Sequence, residues 1–201
     1  MRIAVYGSTG MIGSRVVAEA LSRGHEVVGI TRSGGEQEGV RTVKGDVADA
    51  DLTTRIAAEN DVVVSAFAPS RTGGDIREYL DRLRDVVATI GGTRLVVVGG
   101  AGSLLVDGGR VADDPEYPEV WRPEALLMAE ALEYIRGVGE EVDWTFLSPP
   151  VVIEPGERTG AYKIGSDSPV GDFISAEDYA VAFLDEIEKP AHRRQRFTVA
   201  H

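Results

Sequence analysis

The chain has 201 residues, of which 43% are hydrophobic, and this content is enough to fill one sizeable core. We therefore expect a single domain over residues 1–201. A formal charge of -12 disfavours a nucleic-acid partner, which would need clustered Lys and Arg, and the lack of cysteine excludes disulfides, thiolate metal sites and a thiol nucleophile.

The N-terminal residues resemble a strand and not a targeting segment. Arg2 to Tyr6 form a short apolar run without the charged and long apolar regions of a signal peptide. No apolar run approaches the roughly 18 residues that a membrane helix needs. We therefore expect a soluble, cytoplasmic protein with no membrane partner, present as a monomer or weak homodimer and acting on a small molecule.

Short apolar runs rich in β-branched residues alternate with amphipathic stretches along the chain. This alternation predicts a parallel sheet with helices on both faces. The predicted strands cover residues 3–6, 26–30, 40–43, 62–67, 95–98 and 144–147, with a late seventh at 197–199. The predicted fold is α/β, a doubly wound Rossmann-type sheet with strand order 3-2-1-4-5-6 and the seventh strand added.

Apolar stripes at helical spacing predict helices between these strands. The stripes lie at residues 12–21, 80–90, 125–135 and 180–187. Ser175 and Asp178 form a capping box at the last helix, in which the serine accepts from the Asp178 amide and the aspartate reaches back. Three long irregular stretches, at residues 68–75, 100–122 and 149–172, follow strands four, five and six. We expect these loops at the carboxyl edge of the sheet, where ligands bind.

A glycine-rich turn joins the first predicted strand to the first predicted helix. Amides at the start of a helix point outward and attract an anion such as a diphosphate. The first glycine permits a tight turn, the second lets the backbone approach the phosphates, and the third lets helix and strand pack closely. This placement favours a dinucleotide site over a structural turn with incidental glycines. The turn reads Gly7-Ser8-Thr9-Gly10-Met11-Ile12-Gly13.

The GxxGxxG spacing of this turn and several later motifs resemble the atypical branch of the short-chain dehydrogenase/reductase superfamily. The later motifs are VVVGGAGS at 96–103, DWTFLSPP at 143–150, PGERTG at 155–160 and ISAEDYA at 174–180. Together they are similar to the NAD(P)H-flavin reductase type, whose relatives include flavin and biliverdin reductases and nitrogen-metabolite-repression regulators. The resemblance runs the length of the chain and implies an NAD(P)-binding Rossmann domain.

The choice of cofactor depends on the residues after strand two. Thr31-Arg32-Ser33 stands where NAD-specific domains carry an acidic residue for the ribose 2′-hydroxyl. The Arg32 guanidinium can pair with a 2′-phosphate, so we favour NADPH over NADH, although a solvated arginine beside Glu36 is the alternative. The resemblance implies that Asp46 and Val47 contact adenine, while an ordinary turn aspartate is the other interpretation of Asp46. It also implies cofactor contacts from Ala66, Phe67, Ala68, Gly99, Gly100, Ala101 and Pro149.

The Tyr-x-x-x-Lys pair of classical members is absent, because the residues four positions before the three lysines are Val40, Thr159 and Asp185. Ala101 also stands near the place of the usual serine, so ordinary alcohol or ketone chemistry is not expected. Hydride transfer to a flavin or a quinone needs mainly stacking and proximity. We therefore predict an NAD(P)H-dependent reductase of a flat conjugated acceptor, with flavin as a candidate substrate and no metal. The candidate positioning or proton-relay groups are Ser103, Tyr117, Ser148 and Tyr162.

Two other functions fit the same sequence. A redox-sensing regulator that binds NADP(H) without turnover is equally compatible with the missing catalytic pair. A sugar-nucleotide epimerase or dehydratase fits less well, because it would need the tyrosine and a longer C-terminal region for its substrate.

Overall fold

The computed structural model describes residues 1–70 and 73–201, and helices and strands alternate along them. The helices are α1 (Met11–Ser22), α2 (Ala50–Glu59), α3 (Glu78–Thr89), α4 (Arg122–Arg136) and α5 (Ala176–Glu188), with short 3-10 turns at Ala101–Ser103 and Val111–Asp113. The strands are β1 (Arg2–Tyr6), β2 (Glu26–Thr31), β3 (Val40–Lys44), β4 (Val62–Ser65), β5 (Arg94–Val98), β6 (Leu105–Val106), β7 (Gly109–Arg110), β8 (Trp144–Ser148), β9 (Val152–Glu154), β10 (Lys163–Gly165), β11 (Phe173–Ser175) and β12 (Gln195–Ala200).

Eight strands form the central sheet, in the order β10-β12-β8-β5-β4-β1-β2-β3. Neighbours in this sheet run parallel except for β10, which is antiparallel to β12. Since β8 and β12 are the predicted sixth and seventh strands, the predicted order is confirmed. The chain winds in opposite directions from the adjacent strands β1 and β4, and a crevice opens at such a switch point beyond the carboxyl ends of the strands.

The sheet is covered by an apolar layer on each face. Helices α2, α3 and α4 supply one layer and α1 and α5 the other. Because successive side chains of a strand point to opposite faces, Ala4 and Tyr6 of β1 enter the first layer while Ile3 and Val5 enter the second. This two-sided burial explains why the central strands read as nearly continuous apolar runs.

The structure differs from the predicted elements at several points. Helix α2 was missed because its buried face is short and mixes Leu52 and Ile56 with Thr53. Strand β4 ends at Ser65, so Phe67 lies beyond the strand and not inside it. The two later loops are also less irregular than expected, because β6 and β7 form a hairpin in the first and β9 and β10 lie in the second. The loop predicted at 68–75 includes residues 71 and 72, which lie outside the described residues.

The predicted capping box at α5 is half correct. The Ser175 hydroxyl accepts a hydrogen bond from the Asp178 amide at 3.0 Å, as expected. The Asp178 carboxylate does not reach back, because it accepts from the amides of Thr159 and Gly160 at 3.1 and 2.7 Å. This carboxylate therefore ties the loop after β9 to the start of α5.

Within residues 1–70 and 73–201, no helix combines the length and apolar character needed to cross a membrane. The cytoplasmic location stays a prediction.

Candidate functional site

A cleft with a volume of about 1230 Å³ lies across the carboxyl ends of β1 to β5 and β8. Pockets for small ligands usually measure about 300–1,000 Å³, so this cleft has room for an extended ligand and a second molecule. The cleft spans the switch point between β1 and β4. The predicted cofactor residues that line it are Gly7, Thr9, Gly10, Met11, Ile12, Arg32, Asp46, Val47, Ala66, Phe67, Ala68, Gly99, Gly100, Ala101 and Pro149.

Two residues of the glycine-rich turn do not line this cleft. A Cβ on Gly13 would lie 2.1 Å from the carbonyl oxygen of Gly7, so glycine here permits the close packing of α1 against the turn. The buried Ser8 hydroxyl donates to Oε1 of Gln37 at 2.7 Å. Gly7 itself has a φ of +80°, which favours glycine and makes the tight turn. Ser8 and Gly13 therefore lie behind the cleft lining and have a structural role in the turn.

The N-terminus of α1 is left open toward the cleft. Its N-cap is Gly10, no side chain caps it in the described part of the chain, and no acidic residue occupies its first turn. By contrast, the Asp49 side chain caps α2 and the Ser175 side chain caps α5, and both helices carry acidic residues in their first turns. Free amides and an uncompensated helix dipole fit a diphosphate group. Among α1, α2 and α5, only α1 therefore has an N-terminus that is suited to binding an anion.

The β2–β3 end of the cleft carries positive charge. Arg32 follows β2 and is exposed, and Lys44 of β3 lies opposite Thr31 in the strand register. Asp46 accepts a hydrogen bond from the Ala48 amide at 3.1 Å and also lies 3.5 Å from the Arg82 guanidinium. Asp46 is therefore both a turn residue and part of the lining. Arg82 was not predicted, because an arginine on the polar side of a helix gives no sequence signal.

The β5–β8 end of the cleft is largely apolar. Its lining includes Val120 and Trp121, which are 81% and 55% exposed just before α4. Arg122 holds this segment in place, since its guanidinium donates to the carbonyl oxygens of Ala112 and Tyr117, each at 2.7 Å. Trp121 was not predicted, although a tryptophan in a long loop at the ligand edge was an available signal. Other lining residues at this end that were not predicted are Val120, Glu124, Val151, Val152, Ile153 and Glu154.

Of the four candidate positioning groups, only Tyr117 lines the cleft. Burial, and then the charge of Glu124, raises the pKa of its phenol, so the group is protonated at neutral pH. The Tyr162 hydroxyl instead donates to Oδ2 of Asp185 at 2.5 Å, on the α5 face of the sheet. Tyr162 is therefore placed away from the cleft, contrary to the prediction.

The two serines are also outside the lining. Ser103 is buried, and its hydroxyl donates to the carbonyl oxygen of Gly100 at 3.5 Å and accepts from Arg196 at 3.4 Å. Ser148 is fully buried at the end of β8, and its hydroxyl has no hydrogen-bond partner among the residues described. The sequence placed Ser148 at the end of the correct strand and Ser103 beyond the correct strand, but it could not show which way their side chains point.

Comparison with known proteins assigns the chain to a family. A family model described as NAD(P)H-binding matches residues 7–190. The chain belongs to the NAD(P)H-binding family. The matched segment contains the glycine-rich turn and, apart from Tyr6, the residues that line the cleft. The family match supports a nicotinamide dinucleotide as the cofactor of this chain, and the resemblance inferred from the sequence motifs is confirmed.

Other proteins are similar over nearly the whole chain. The uncharacterized protein YwnB of Bacillus subtilis strain 168 is 38% identical, over 99% of this chain and 98% of its own length. A candidate NADH-flavin reductase from Streptococcus pneumoniae TIGR4 has 33% identity and a TM-score of 0.89, covering 100% of this chain and 99% of its own. A candidate epimerase from Bacteroides thetaiotaomicron has 35% identity and a TM-score of 0.87, with coverages of 100% and 96%. Two structures similar to this chain are thus named for different activities, one for NADH-flavin reduction and one for epimerisation.

Proposed function

We propose that this protein is an NAD(P)H-dependent oxidoreductase that reduces a flat conjugated acceptor such as a flavin or a quinone. The observation that carries the proposal is the cleft itself, which joins the open N-terminus of α1 to an apolar end containing Trp121. The Streptococcus relative, named for NADH-flavin reduction, supports the same class of activity. The missing Tyr-x-x-x-Lys pair argues against sugar-nucleotide epimerisation.

The residues present fit a dinucleotide. The amides of Met11 and Ile12 would hold the diphosphate, and Gly10 leaves room for its approach. Arg32, with Lys44 on the neighbouring strand, would provide positive charge for a 2′-phosphate, which favours NADPH over NADH. When bound, the reduced nicotinamide would supply a hydride, which is two electrons with one proton, and the acceptor would need a second proton, which water can give.

The chain's own residues at the β5–β8 end would bind and orient the acceptor. Val120 and Trp121 offer an apolar surface on which a flat ring can stack. Tyr117 keeps its proton at neutral pH and can donate a hydrogen bond to a polar edge of the ring. Pro149 and Pro150 are buried at the end of β8 and give this side a rigid wall. Holding the ring in place is the main task, because the acceptor itself delocalises the added charge.

Turnover assays test this proposal directly. Purified protein is mixed with NADPH or NADH and with riboflavin, FMN or quinones, and the absorbance of the reduced cofactor is followed. We expect oxidation well above the protein-free background, faster with NADPH than with NADH. Tight NADP(H) binding without oxidation by any acceptor would refute the reductase and support a redox sensor. Isomerisation of nucleotide sugars in a parallel arm would support an epimerase instead.

A further inference from the structure

The segment between β2 and β3 covers residues 32–39 and lies outside the central sheet. Arg32 at its start lines the cleft, and the Thr31 hydroxyl accepts a hydrogen bond from the Gly34 amide at 2.9 Å, which closes a turn around Arg32. Apart from Gly34 and Gln37, which are half-buried, the segment is exposed. Apolar packing therefore does little to fix this turn, and its position depends on polar contacts.

A pair of hydrogen bonds joins this segment to the glycine-rich turn. The Ser8 hydroxyl donates to Oε1 of Gln37 at 2.7 Å, and Nε2 of Gln37 donates to the carbonyl oxygen of Ser8 at 3.2 Å. Both polar atoms of the Gln37 side chain thus bond to one residue of the turn. Ser8 is fully buried, so this contact, the Ser8–Gln37 pair, has one end fixed inside the fold.

Strand β2 leaves space for the Ser8–Gln37 pair. Gly29 lies inside β2, and a Cβ there would be 2.7 Å from the hydroxyl oxygen of Ser8 and 2.9 Å from Oε1 of Gln37. Glycine weakens a strand interior and often marks a place where another group approaches closely. The group that approaches here is the Ser8–Gln37 pair, so the sequence of β2 is adapted to hold the two side chains together.

We propose that Gln37 is a positioning residue for the choice between NADPH and NADH. It fixes the turn that carries Arg32 relative to the N-terminus of α1, so that the guanidinium meets the 2′-phosphate while the diphosphate lies on the helix amides. This inference rests on the cofactor contacts of the proposed function. NADH lacks the 2′-phosphate, so only NADPH binding should depend on where Arg32 is held. A binding conformation that is populated for only part of the time raises the measured Kd in proportion.

The Gln37→Leu variant removes both hydrogen bonds with little change in side-chain size. We expect the Kd of NADPH in calorimetric titrations to rise by about threefold to tenfold, because the released segment holds Arg32 in place for less of the time. The Kd of NADH should stay within about twofold of the wild-type value. The matched control is Gln195→Leu, which changes the other glutamine of the chain, exposed at the start of β12, and should leave both Kd values unchanged.

Two further variants distinguish positioning from a general loss of order. In an Arg32→Ala background, Gln37→Leu should change the Kd of NADPH by less than about twofold, because no guanidinium remains to be positioned. Ser8→Ala removes only the hydroxyl donor of the Ser8–Gln37 pair and should give the same selective loss at a smaller size. Thermal unfolding checks the fold of each variant.

The outcomes separate this role from the proposed activity. Equal losses of NADPH and NADH affinity in Gln37→Leu, equal losses with and without Arg32, or an unchanged Kd for NADPH would each overturn the positioning role. A selective loss in a protein that oxidises NADPH with no acceptor would support the role while refuting the reductase. Turnover combined with a nonselective loss would do the reverse. Equal wild-type Kd values for NADPH and NADH would refute both the cofactor preference and the role of Gln37.

Discussion

Replacing Gly10 by alanine should weaken cofactor binding while leaving the fold intact. Gly10 has φ −72° and ψ 170°, a conformation that alanine adopts readily. An added Cβ would lie 3.3 Å from the carbonyl oxygen of Gly7 and 4.0 Å from that of Ala66, so a small shift accommodates it. Alanine at an N-cap costs about 1 kcal/mol, and the reduced entropy of the unfolded chain returns about 0.4–1 kcal/mol. The net change in stability should therefore be small.

The effect on binding should be much larger, because Gly10 lines the cleft at the start of α1. A methyl group there prevents the close approach of a diphosphate to the helix amides. Loss of one hydrogen bond to a charged group costs about 1.5–3 kcal/mol, which corresponds to a Kd for NADPH raised by about 10-fold to 150-fold. Calorimetric titration with NADPH measures this change, and thermal unfolding monitors the fold.

The matched control is Gly92→Ala, in the turn between α3 and β5. A Cβ on Gly92 would meet no atom within 4 Å, and its φ lies outside the left-handed region. This variant should bind NADPH like the wild type. If Gly10→Ala bound NADPH within about twofold of the wild type, a difference of only about 0.4 kcal/mol, the helix amides would not be the diphosphate site.

Three further predictions concern other parts of the molecule. Arg32→Ala should weaken NADPH binding by about 5-fold to 30-fold, through a lost charge-assisted contact, while the Kd for NADH from the same calorimetry stays unchanged. Trp121→Ala should raise the KM for flavins or quinones by about 3-fold to 10-fold through lost stacking, with the Kd for NADPH unaffected. Glu186 and Arg94 form a buried pair at 2.6 Å, so Glu186→Gln should lower the free energy of unfolding by about 3–5 kcal/mol in urea titrations. Burial raises the pKa of Glu186, but hydrogen bonds from His192 and Arg94 outweigh it, and the pKa lies below the ordinary value of 4.5. This carboxylate therefore stabilises the fold above about pH 4.5 and loses its effect as the pH falls further, so the wild type should lose more stability than the variant between about pH 5 and pH 3.

Much of the fold could be predicted because a strand that is buried on both faces of the sheet consists mostly of apolar residues. Strands β1, β4 and β5 at the centre of the sheet are nearly continuous apolar runs, and the predicted and observed ends of β1, β2 and β3 agree within one residue. Elements with little buried surface have no such apolar run in the sequence. Strand β10 contains only Lys163 to Gly165 at the sheet edge, and the hairpin of β6 and β7 has exposed residues throughout. Their positions are set by contacts with distant parts of the chain, which periodicity does not encode.

The same difference between local and long-range contacts explains which site residues could be predicted from the sequence. The glycine-rich turn could be predicted because its function depends on backbone conformation and on a helix end that are local in sequence. For side chains on long loops the situation differs. A polar side chain there can bind a ligand only if its hydrogen-bonding groups are not already paired with other residues of the fold. The Tyr162 hydroxyl is hydrogen-bonded to Asp185 and the Ser103 hydroxyl to Arg196, whereas Tyr117 lines the cleft. The partners that remove the first two lie 23 and 93 residues away along the chain, so only the folded structure separates them from Tyr117.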